Sequence, residues 1–159
     1  MEIHPLIVHF PIVCLILAPV FDWLSRLERL RTFEHTGLAL LILGAVMTIP
    51  AAYTGESAAE IAGSIPGIQE SLTHHEDLST FSLWSSLLLA VARIHLVAKK
   101  RYDGLRRLGH TLLMTFCAGF VCWSAYTGGR LVYEFGAGTR PVVDHEHASP
   151  EATPYRKSD

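Results

Sequence analysis

Charged side chains are missing from four long stretches of this chain. Ile3 to Phe21, His35 to Gly55 and Leu108 to Gly129 contain no Asp, Glu, Lys or Arg, and Leu78 to Ala98 contains only Arg93. A helix needs about 20 mostly apolar residues to cross the hydrocarbon core of a bilayer. Three stretches meet that length outright, and the stretch around Arg93 meets it if that side chain snorkels to water at the membrane edge. The pattern predicts an all-α integral membrane protein, an antiparallel four-helix bundle. Its spans are expected at 3–24, 35–55, 78–98 and 108–130, forming one domain over 1–140 with a polar tail at 141–159. Composition agrees, with 18% charged residues against about 25% in a typical soluble domain. A net charge of −2 argues against nucleic acid as a partner. Cys14, Cys117 and Cys122 all lie in spans and form no C-x-x-C pair. That excludes a disulfide scaffold, a zinc ribbon and c-type haem attachment.

The first span lacks a basic leader and a cleavage site, so it is expected to stay in the membrane. Arg26, Arg29 and Arg31 lie between spans one and two, and Lys99, Lys100, Arg101, Arg106 and Arg107 between spans three and four. The segment from Glu56 to Asp77 has no Lys or Arg but carries Glu56, Glu60, Glu70, Glu76 and Asp77. The positive-inside rule makes the basic loops cytoplasmic. Both termini and the acidic central loop are then outside, which in a bacterial inner membrane is the periplasmic side. Short connections make sequence neighbours spatial neighbours. Gly44 and Gly119, near mid-span, are expected to face the bundle, where small residues let backbones approach.

This topology gathers the unusual segments at the outer end. Span one opens with HPLIVHFPI, span two closes with AYTGE, span three follows THHED, and span four closes with AYTGGR. Ala-Tyr-Thr-Gly occurs at 52–55 and again at 125–128. Both odd spans are entered through histidines, with His9 seventeen residues before Arg26 and His75 eighteen before Arg93. These features suggest two hairpins related by a pseudo-twofold axis along the membrane normal. The opening HPLIVHFPI and the closing GGRLVYEFGAGT, with four spans between them, resemble the domain-of-unknown-function 2231 family of predicted bacterial membrane proteins, over about residues 1–140. The resemblance implies the four-span fold and no established chemistry. Members of that family often end in His-Gly where this chain has Phe135-Gly136, so a histidine role is absent there. Some members are fused to Rieske iron–sulfur domains, which implies electron transfer.

Neutral imidazoles from two helices are the usual axial ligands of haem b. His9 and His75 are the expected ligands at the outer rim, with His74 in reserve for His75. Gly128 and Gly129 let a porphyrin approach the backbone, and Arg130 is placed to pair with a propionate. His35, His95 and His110 gather at the inner side as candidates for a second haem. Tyr53 and Tyr133 read as interfacial belt residues, and His145 and His147 in the tail as an adventitious metal trap. The expected function is a small cytochrome-b-like subunit carrying haem b within a bacterial respiratory or photosynthetic complex. Its expected partners are membrane lipid, redox subunits such as a periplasmic cytochrome or a Rieske protein, and quinone. The alternative is a cofactor-free accessory subunit of a larger complex. No nucleophile–base pair, H-E-x-x-H or phosphate loop points to a stand-alone enzyme.

Overall fold

A computed structural model describes residues 3–139. The uncharged stretches become four long helices, α1 (His4–Leu24), α2 (Phe33–Ala62), α3 (Gln69–Ala98) and α4 (Gly104–Phe135). Each is long and apolar enough to cross a membrane. Their outward faces carry large apolar side chains, including Leu6, Val13, Trp84, Leu88 and Phe116. Leu88 leaves 70% of its surface open. Water would not tolerate such a surface, whereas lipid favours it.

The helices overrun the expected spans. α2 and α3 have 30 residues each, about 45 Å at 1.5 Å per residue, against a hydrocarbon core of about 30 Å. Much of the segment 56–77, expected as a loop, is therefore helix. The local sequence explains this. Glu56 to Ala62 holds three alanines and no Gly or Pro, whereas Gly63, Pro66 and Gly67 are concentrated in the link that follows. α4 ends where Gly136 takes a left-handed conformation, φ 69°, and its N–H caps the carbonyl of Val132.

α1 packs on α2 and α4, and α3 packs on the same two helices, so α1 and α3 are diagonal neighbours. One end of the bundle carries the basic connections after α1 and α3. The other carries the first turn of α1 and the α2–α3 link, flanked by Glu56, Glu60 and Glu70. A central apolar core holds Leu15, Leu41, Ala45, Leu89, Met114 and Val121. A second cluster of Ala62, Ile68, Leu72 and Leu131 closes the acidic end.

The burial pattern repeats. α1 buries Pro11, Leu15, Ala18, Pro19 and Asp22. Seventy-one positions later, α3 buries Ser82, Ser86, Leu89, Ala90 and Arg93. α2 buries Gly37, Leu41, Gly44, Ala45 and Ala51. Seventy-three positions later, α4 buries His110, Met114, Cys117, Ala118 and Ser124. The two hairpins therefore use the same inward faces in the same register, which is what a pseudo-twofold axis between them requires. Gly44 faces α1 as expected, and a Cβ there would fall 2.9 Å from the Leu15 side chain. Gly119 does not face the bundle. It is exposed, with open space around its Cα, because the inward line of α4 passes through its neighbour Ala118.

Candidate functional site

Between the central core and the acidic-end cluster lies a layer whose buried side chains are small, namely Pro11, Ala51, Ser82, Ser124 and Thr127. Two histidines point into its seams. His4, in the first turn of α1, places Nδ1 3.0 Å from Thr54 Oγ1 on α2. The Thr54 hydroxyl donates to the Pro50 carbonyl at 2.9 Å, so its oxygen is left to accept from the His4 Nδ1–H. His75, in α3, repeats the arrangement on α4. Its Nδ1 lies 3.0 Å from Thr127 Oγ1 and 3.1 Å from the Ser124 carbonyl, and the Thr127 hydroxyl donates to that same carbonyl. In both neutral rings the network puts the proton on Nδ1 and the lone pair on Nε2. Each ring edge also lies against a glycine. A Cβ at Gly55 would come within 2.9 Å of His4 Cε1, and one at Gly128 within 2.9 Å of His75 Cε1.

The basic end holds a different cluster. Arg93 does not snorkel to water as expected. It is fully buried and bonds the equally buried Asp22 of α1 at 2.9 Å. The Tyr102 ring stacks on its guanidinium, 3.3 Å from carbon to ring centre. Asp22 Oδ2 also accepts from the Tyr102 hydroxyl at 2.8 Å and from Thr111. Arg107 bonds Ser25 at 2.6 Å and pairs with Glu34 at 3.4 Å. Snorkelling serves a charge that has no counter-ion. Here the counter-ion stands at the same depth on the diagonal helix, so Arg93 turns inward.

The remaining expected site residues are scattered. His9 is exposed, its ring bonded back to the Pro5 carbonyl of its own helix. His74 lies in a shallow surface depression with Glu70, Thr73 and Asp77. A Cβ at Gly129 would meet nothing within 4 Å. Arg130 is held by two bonds of 2.7 Å to Glu134 on the exposed face of α4. At the basic end His35 and His95 are exposed, while His110 is buried and donates from Nε2 to the Leu89 carbonyl at 3.0 Å. No group of three or more His, Cys, Asp and Glu side chains placed to hold a metal ion occurs among the described residues. His145 and His147 lie outside the described residues. Of the expected residues, His75 and Gly128 belong to the layer, and His4, Thr54, Gly55 and Thr127 complete it. The signal for His4 was present in the sequence. His4 stands 50 residues before Thr54, and His75 stands 52 before Thr127.

A family model described as a predicted membrane protein, DUF2231, matches residues 1–141. No curated protein and no solved structure matches the chain.

Proposed function

We propose, from the premise that this chain belongs to the DUF2231 family of predicted membrane proteins, that it is an electron-transfer subunit holding haem b at its acidic end. The observation that carries this reading is the pair of equivalent imidazoles on diagonal helices, each with Nδ1–H held by a threonine. A ligating histidine almost always donates its other N–H to a neighbouring acceptor, which fixes the ring and raises its basicity. His4 and His75 would hold the haem through Nε2, which at His75 means displacing the Ser79 hydroxyl that lies 3.4 Å from that nitrogen. His9, the residue expected in that place from sequence, is on the outward face of α1. Gly55 and Gly128 leave room for the rings, and the apolar cluster around Ile68 and Leu72 closes the bundle beyond the layer. Haem, when bound, supplies reversible one-electron storage. The chain's own residues would set its position, supply its histidine ligands and fix the dielectric around it.

The basic connections support four antiparallel spans with that end in the cytoplasm, and hence both termini and the His4/His75 layer on the periplasmic side. Partners delivering or removing electrons would then meet the acidic rim, whether periplasmic redox proteins or quinone. A reporter fused after Asp159 is expected to be active only outside the cell membrane, and cytoplasmic activity overturns the orientation. The haem reading is tested by a reduced-minus-oxidised visible spectrum of the detergent-purified chain. A b-type spectrum is expected, lost in H4A and in H75A and kept in H9A. A colourless protein from haem-replete cells overturns the reading in favour of a cofactor-free accessory subunit. Loss of the spectrum in H9A with retention in H4A returns the α1 ligand to His9.

A further inference from the structure

The two hairpins differ at one end of the bundle and agree at the other. At the acidic end, equivalent positions hold identical residues, namely His4 and His75, Thr54 and Thr127, Gly55 and Gly128. At the basic end, equivalent positions hold opposite charges. Asp22 follows His4 by eighteen residues, as Arg93 follows His75, and Glu34 precedes Thr54 by twenty, as Arg107 precedes Thr127. Both of these pairs are joined across the bundle, Asp22 to Arg93 and Glu34 to Arg107. Residues that a twofold axis exchanges, and that also touch, flank that axis and meet across it. Two first hairpins packed in this way would bury Asp22 on Asp22, and two second hairpins would bury Arg93 on Arg93. A buried charge without its partner is strongly destabilising, and a like charge beside it adds repulsion.

We infer that the surface between the hairpins is a recognition surface read by charge, and that it accepts the second hairpin of another copy of this chain in place of its own. The link Gly63–Ile68 is the covalent join between the two units and contains Gly63, Pro66 and Gly67. Exchange of hairpins between two chains would reproduce the charge pairs and the central core and alter the path of this link, with Ile65 and Ile68 reseating in the acidic-end cluster, which is the usual basis of domain swapping.

Full-length D22R and R93D variants with different affinity tags test the inference. Expressed alone, each buries like charges across the axis and should yield little folded protein. Expressed together, the new arginine at position 22 of one chain meets the new aspartate at position 93 of the other, and the reciprocal surface keeps its native pair. The two tags should then co-purify at equal amounts, well above the level seen with two wild-type chains. The D22R/R93D chain should fold as a monomer. Absence of co-purification overturns the inference, whether or not D22R/R93D folds, as does either single variant accumulating like the wild type.

Discussion

Replacing Arg93 by alanine lowers the stability of the bundle by about 3–5 kcal/mol, because it strands the Asp22 carboxylate in a site with no exposed surface. Asp22→Ala gives a loss of the same order, since the guanidinium is then held only by the Tyr102 face and the Glu34 carbonyl. The measurement is equilibrium unfolding in mixed micelles, followed by circular dichroism. Removing both charges together is expected to cost much less than either single change. An apolar pair such as Asp22→Leu with Arg93→Met leaves no uncompensated ion, and buried pairs replaced in that way are often neutral. An Arg93→Ala protein within about 1 kcal/mol of the wild type would show that the pair is not the clasp of the basic end.

Gly37→Leu is the second large effect. A Cβ at this position would lie 3.1 Å from the Ala18 carbonyl and 3.3 Å from the Asp22 backbone nitrogen. These are backbone atoms of α1, so no rotamer change relieves the crowding. Overpacking of a tight core typically costs about 1–3 kcal/mol. The upper end is expected here, because relief requires α1 to move away from α2 just where Asp22 reaches Arg93. Gly119→Leu serves as the control. It points into open space on the lipid-facing side of α4 and should stay within about 0.5 kcal/mol of wild type. Equal losses in the two variants would contradict the packing described for α2 and α4.

The four helices were legible in the sequence because the bilayer acts as a physical ruler, and charge-free runs of its length have few other uses. The helical extensions beyond Gly55 and before Leu78 were not, since they rest on propensity in water and bring no apolar signal. Of the acidic-end layer, His75 and Gly128 were legible, and His4, Thr54, Gly55 and Thr127 were not. Depth in the apolar run favoured His9, but depth is only one coordinate. His9 follows His4 by five residues, about 140° around the helix at 3.6 residues per turn. One ring therefore enters the seam with α2, and the other faces outward. The repeat was also visible, but its register was set on Arg26 when the residue equivalent to Arg93 is Asp22. A change of charge sign between copies hides an equivalence that only the packing reveals.

The two polar layers of the bundle are separated along α1 by the eighteen residues from His4 to Asp22, about 27 Å at 1.5 Å per residue. Between them the interior is mostly apolar core without ionised groups, so the voltage across an energised membrane would fall over that stretch. A charge carried from end to end would exchange about 2.3 kcal/mol with every 100 mV. A charge that arrives at the His4/His75 layer from the acidic end, and leaves by the same end, traverses almost none of this drop. Under the proposed reading the protein would therefore pass electrons sideways along one membrane face, its redox equilibrium the same in energised and in discharged cells.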